Sequence, residues 1–128
     1  RDHGGSLQAR GLAWGEAPPP GPYDVVLVCD CIYDPASHEA LLATLDAVFE
    51  ENADATAVVA FALHGNAADA AVLGFFDAAR ARGRGVAKVD EQQLRVTESM
   101  RDVCQVRDAK RSLVHVYFLT AASLEAPD

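Results

Sequence analysis

The stretch VVLVCDCIYDP, residues 25–35, decides how the chain is read. Five apolar residues in a row, Val25 to Cys29, do not alternate with polar ones. A run of this kind predicts a strand buried on both faces, as in a parallel sheet covered by helices. The apolar run stops at Asp30. In open α/β sheets ligands sit beyond the carboxyl ends of the strands, so Asp30 is where such a fold would place chemistry. A carboxylate in this position also ends strands and caps turns, so both roles stay open on position alone.

Outward from this strand, the elements follow from period and caps. DPASHEALLATLDAVFEE predicts a helix, with Asp34 as cap and Pro35 at the first helical position. Leu41, Leu42, Leu45, Val48 and Phe49 share one face of it. Ala57 to Leu63 predicts a second continuous apolar strand. The next helix runs through NAADAAVLGFFDAARARG, capped by Asn66, with Asp69 in its first turn and Gly83 as its stop. Its buried stripe is Val72, Phe75, Phe76 and Ala79. Residues 85–90 predict a short strand and residues 112–120 a final one, with a helical piece expected near 98–106. Upstream, SLQARGLAW (residues 6–14) alternates and predicts a strand, and EAPPPGP is a stiff connecting loop. The fold class is therefore α/β, with a mostly parallel sheet and an antiparallel C-terminal strand expected at its edge.

Composition narrows the function classes. The chain has 128 residues, enough for one domain, and half of them are hydrophobic. The net charge of −8 and pI near 4.8 speak against nonspecific nucleic-acid binding, which needs a basic surface. Three cysteines, two of them (Cys29 and Cys31) around the apolar strand, form no disulfide framework and point to a reducing, cytoplasmic compartment. No apolar run is long enough to span a bilayer. The sequence opens RDHGGSL without a methionine, which reads as a cut inside something larger.

LAWG at residues 12–15, YDVVLVCDCIYDP with its Asp-x-x-Tyr at Asp30 and Tyr33, and the helix HEALLATL together resemble the second half of a class I (seven-stranded, Rossmann-like) S-adenosylmethionine-dependent methyltransferase. The closer resemblance is to methyltransferase family 16, the protein-lysine methyltransferases. AFALHGN at residues 60–66 is reminiscent of that family's elongation-factor 2 branch. The resemblance implies that residues 1–128 are the C-terminal part of one methyltransferase domain. It also implies transfer of a methyl group to a lysine of a protein such as a translation factor or chaperone. The family's glycine-rich cofactor loop and the acidic residue for the ribose have no counterpart in these residues, so a truncated sheet is expected.

The same resemblance distributes the roles. It implies that Trp14 lies against the cofactor's adenine and that Cys29, in the place of a small residue, lines the cofactor pocket. Asp30 would accept a hydrogen bond from the substrate amine and Tyr33 would wall the lysine channel. As a methyl acceptor a lysine must arrive neutral, and an ionised carboxylate beside it favours the charged form, so Asp30 cannot simply be named the base. His64 is a candidate for the substrate side, His38 reads as solvated and His115 as structural. Arg80, Arg82 and Arg84 read as a solvated helix terminus, where positive charge is favourable.

Other readings run beside this one. Cys29, Cys31, His38 and His64 are metal-capable residue types, but no CxxC pair or second cluster accompanies them, so no metal is expected. A nucleophilic cysteine lacks a placed histidine and third group. A nucleotide hydrolase would need a GxxxxGK[ST] loop, which is absent. A non-catalytic methyltransferase-fold remnant or interaction module is the alternative that remains.

Overall fold

A computed structural model describes residues 4–65, 67–93 and 113–122. The element order is β1 (Val25–Cys29), a 3-10 turn (Pro35–Ser37), α1 (His38–Glu51), β2 (Thr56–Ala62), α2 (Asp69–Ala81), β3 (Gly85–Gln93) and β4 (Leu113–Thr120). The four strands form one sheet in the order β1-β2-β4-β3. β1 and β2 are parallel neighbours, and β4 is antiparallel to both β2 and β3. Three strands thus run one way and β4 runs back between two of them. The expectation of an antiparallel C-terminal strand holds, but its place is corrected. It lies inside the sheet, and β3 takes the edge. Reversal explains this, because a strand returning from β3 can pair on either side, and between β2 and β3 it gains two ladders.

Both helices lie on one face of the sheet. Val28, Val59, Phe61 and Leu119 pack there with Leu41, Leu42 and Leu45 of α1 and Phe75 and Phe76 of α2. The predicted stripes of both helices are the buried ones. On the opposite face Leu27, Val58, Phe118 and Ala87 line up across the strands. Leu27 is 70% exposed, so burial of β1 on both faces is corrected to burial on one among the described residues. The predicted strand at residues 6–14 does not form. Leu7 is 99% exposed, and the segment has no ladder partner to satisfy its backbone groups as a strand.

The expected N-caps are corrected: Asp34 caps the 3-10 turn Pro35–Ser37, while α1 begins after Ser37 and α2 after Ala68, neither of which makes a side-chain cap bond. Asp34 accepts a hydrogen bond from the Ala36 amide at 3.1 Å, with Pro35 at the first position. The Asn66 cap and the helix at 98–106 lie outside the described residues. α2 ends in a Schellman arrangement: Gly83 N–H donates to the Arg80 carbonyl at 2.9 Å and Arg84 N–H to the Ala79 carbonyl at 3.1 Å. Gly83 has φ +81°, the left-handed region. Gly83→Ala should therefore cost about 1–2 kcal/mol in denaturant unfolding, through the Cβ penalty at positive φ. A neutral outcome would mean that the turn opens without loss.

The Arg82–Arg84 pair is not a solvated terminus. Arg82 bridges Glu39 at 2.6 Å and also binds Asp46, and Arg84 binds Asp46 at 2.7 Å. The hydrogen bond to Glu39, helped by Asp46, pushes the Arg82 guanidinium above its ordinary range. Only Arg80 keeps the expected solvated character, paired with Asp77 one helical turn back. Because α1 and α2 pack side by side, the end of α2 meets the acidic side of α1 instead of water. No helix among the described residues is long and apolar enough to cross a membrane.

Candidate active site

The carboxyl ends of β1 and β2 lie side by side, since Cys29 is in register with Ala60. The Asp30 amide continues the ladder, donating to the Ala60 carbonyl at 2.7 Å. Asp30 then turns with φ +55°, in the left-handed region that residues other than glycine rarely adopt. This turn lifts its side chain off the strand end. His64, two residues past the end of β2, places Nε2 2.9 Å from Asp30 Oδ1. Both side chains are about half exposed, so the pair lies open at the rim of the sheet. A carboxylate only accepts, so Nε2–H is the donor.

Beyond Asp30 the loop is anchored at Ile32, which is fully buried, and Tyr33 projects outward at 50% exposure. His38, expected to be solvated, is buried instead. Its Nε2 donates to the Ile32 carbonyl at 2.7 Å, and its ring meets Phe75 edge-on at 5.3 Å. The reason was in the spacing: His38 stands at the i, i+3, i+4, i+7 positions shared with Leu41, Leu42 and Leu45. Its function is to hold the loop that carries Asp30 and Tyr33. His115 behaves as the structural residue expected, stacked on Phe61 with Nδ1 2.9 Å from Glu91.

A groove of about 740 Å³ wraps the free edge of β1. Trp14, Leu12, Val26, Leu41 and Leu45 are among its walls. Trp14 sits in a tight turn in which the Glu16 amide donates to the Ala13 carbonyl at 3.1 Å. Gly15, third in that turn, has φ +100°, which a type II turn requires of glycine. The turn is tied to α1 by Thr44, whose Oγ1 accepts from the Gly15 amide at 2.9 Å and donates to the Glu16 carbonyl at 2.8 Å. Thr44 had drawn no attention as a site residue. Its position in step with Leu41, Leu45 and Val48 was the available signal, since a hydroxyl on an apolar stripe needs a buried partner.

The structure does not gather the four singled-out residues into one pocket. Asp30 and Tyr33 share the loop after β1, and Trp14 lines the groove. Cys29 alternates with Leu27 onto the uncovered face of the sheet and is exposed there. Cys31 is partly buried, and desolvation, then the nearby Cys29 and Asp30, push its thiol above the ordinary range. A thiol held protonated is a weak nucleophile and a weak metal ligand.

The groove wall fits the flat, apolar end of a nucleoside cofactor. Its polar wall residues include Thr44, already committed to the Trp14 turn, and Tyr23, whose hydroxyl donates to the Pro19 carbonyl. Among the described residues no acidic or basic side chain lines it, so what they offer a ligand is a flat apolar surface.

Comparison with known families adds one finding. A family model described as lysine methyltransferase matches residues 2–77, more than half of the chain. That span includes the Trp14 turn, β1, the Asp30–Tyr33 loop, β2 and His64. No curated protein matches the chain.

Proposed function

The chain belongs to the lysine methyltransferase family, and from that membership we propose that it serves a protein-lysine N-methyltransferase, binding the cofactor and lining the substrate site. The methyl acceptor is a lysine of a protein such as a translation factor or chaperone, and the methyl donor is S-adenosylmethionine, in the cytoplasm. The observation that carries this reading is the Asp30–Tyr33 loop. A carboxylate in a strained left-handed turn and an exposed aromatic stand together at the carboxyl end of a strand. Strain of this kind is kept where surrounding structure enforces it, and it concentrates at functional sites. Three strands running one way with one reversed between them also support a class I sheet.

S-adenosylmethionine, when bound, supplies an electrophilic methyl group on a sulfonium. The rest is the work of this chain's residues. Trp14 offers the groove a flat apolar wall for the adenine. Tyr33 gives the lysine's aliphatic stem a surface to lie along. Asp30 and His64 form a polar rim that orients the amine for in-line attack, and such alignment is a large part of any bimolecular rate enhancement.

Calorimetric titration with S-adenosylmethionine tests the cofactor part. Binding should weaken by about 10- to 100-fold in Trp14→Ala, since stacking of a base on an aromatic ring is worth about 1–3 kcal/mol. Mass spectrometry of methylated protein substrates tests the acceptor. Methyl groups on residues other than lysine would sink the lysine assignment. A folded chain that never binds the cofactor would favour a non-catalytic interaction module.

A further inference from the structure

We propose that His64 is the proton acceptor for the incoming lysine ammonium and that Asp30 positions it. This rests on the methyltransferase reading and goes further, because the difficulty with Asp30 as base is resolved by the geometry. A bare carboxylate beside an ammonium traps the proton on nitrogen. Here one oxygen of Asp30 is occupied by His64 Nε2–H at 2.9 Å. Among the described residues only Asp30 bonds the His64 ring. With Nε2 protonated and donating, the neutral imidazole keeps its lone pair on Nδ1. A carboxylate behind an imidazole fixes the tautomer and stabilises the imidazolium that forms, which is the logic of the base and its orienting partner in hydrolytic triads.

The two residues are 34 positions apart in sequence and meet only because β1 and β2 are parallel and in register. The left-handed Asp30 turn is what directs the carboxylate to the neighbouring strand's exit. Alternative duties for His64 find no support. Among the described residues it packs into no aromatic cluster, unlike His38 and His115, and it is exposed, so removing it leaves no buried gap there.

One N–H bond of the lysine ammonium breaks, its proton bonds to His64 Nδ1, and the electron pair stays on the lysine nitrogen. With S-adenosylmethionine bound, that pair would be free to take the sulfonium's methyl group, the S–C electron pair leaving with sulfur. His64 then returns its proton to water. An imidazole is a weaker base than an alkyl amine by about 4 pK units. His64 therefore works as a relay, and the irreversible methyl transfer draws the small neutral fraction forward. Other titratable groups on the segments that flank this pair in the chain are the thiols of Cys29 and Cys31, Tyr33 and Asp34 in the loop after β1, and Asp69 in the first turn of α2. From β3 and β4, Glu91 and His115 pair with each other at Phe61 on the covered face.

Two measurements on the full chain decide. In the first, imidazole resonances are followed while Nα-acetyl-lysine methylamide is added. The His64 signal should move and those of His38 and His115 should not, and Asp30→Asn should abolish the movement. Asparagine suits this test because it tolerates the same left-handed turn. A His64 signal indifferent to lysine overturns the proposal. In the second, His64→Gln should lower kcat by roughly 10²-fold near neutral pH. KM should change little, and the loss should shrink as pH rises and the lysine sheds its own proton. A loss equal at all pH values, with circular dichroism unchanged, would assign His64 a merely structural role and also overturn the proposal. If the chain transfers no methyl group at all, the methyltransferase reading fails, while the resonance experiment still answers for the His64–Asp30 pair.

Discussion

Phe75→Ala should cost about 3–5 kcal/mol and remove most of the cooperative unfolding transition. Phe75 is fully buried in the middle of α2. Its ring meets His38 edge-on at 5.3 Å and Phe76 at 5.4 Å. Truncation loses the transfer energy of the ring and leaves a cavity that rigid neighbours fill only in part. A typical domain is stable by only about 5–15 kcal/mol, so a single change of this size is a large fraction of the whole. Phe118→Ala is the control. That ring stands on the uncovered face, so its removal should stay within about 1 kcal/mol. Urea denaturation followed by circular dichroism reads both. Equal costs for the two would mean that the helices do not pack on the face assigned to them. There is a second consequence, because His38 holds the Ile32 carbonyl and packs on Phe75. Milder cavity variants such as Phe75→Leu should therefore loosen the Asp30–Tyr33 loop before they unfold the chain.

Asp46→Ala should cost about 2–3 kcal/mol, the second largest effect. Asp46 Oδ1 accepts from Arg84 Nη2 at 2.7 Å and from Nε at 3.2 Å, and its other oxygen accepts from Arg82. Arg84 also donates to the Ala121 carbonyl at 2.8 Å and lies 4.8 Å over the Phe49 ring. The side chains of Arg84 and Asp46 are only 17% and 26% exposed. Removing the carboxylate leaves two guanidiniums close together with no shared counter-charge. Breaking a fully buried pair costs about 3–5 kcal/mol, and the remaining exposure reduces that here. A double-mutant cycle with Arg84→Ala should show coupling of about 1–2 kcal/mol. Arg84→Lys should not restore stability, because an ammonium cannot reproduce the fork of contacts to Asp46 and Ala121. Additive costs in the cycle would mean that the ion pair is too well solvated to join α1 to the end of α2.

Much of this architecture was legible in local pattern. Continuous apolar runs located β1 and β2, but the inference of burial on both faces failed at β1, an edge strand whose Leu27 is exposed. The i, i+3, i+4, i+7 stripes located α1 and α2, Gly83 marked the end of α2, and Asp34 with Pro35 marked the 3-10 turn that leads into α1, through backbone chemistry that each residue carries by itself. The same rule misled at residues 6–14. Alternation describes a segment able to be a strand, but a strand exists only with a ladder partner, and that is a tertiary fact.

Asp30 and Tyr33 were visible as candidates because an apolar strand that stops at a carboxylate needs a reason. Tertiary structure alone decided what Asp30 is joined to. The parallel register of Cys29 with Ala60 brings His64 within 2.9 Å, and no local spacing encodes a contact across 34 residues. Tertiary structure also moved His38 from solvent into the core, turned Arg82 and Arg84 from a loose basic end into a clamp on α1, and separated Cys29 from Trp14. Composition and period mark which segments are able to be helix or strand, because that ability depends on neighbours along the chain, while a strand forms only where a ladder partner meets it. Which side chains share a site depends on how the strands align, and that is settled only when the sheet closes over its helices.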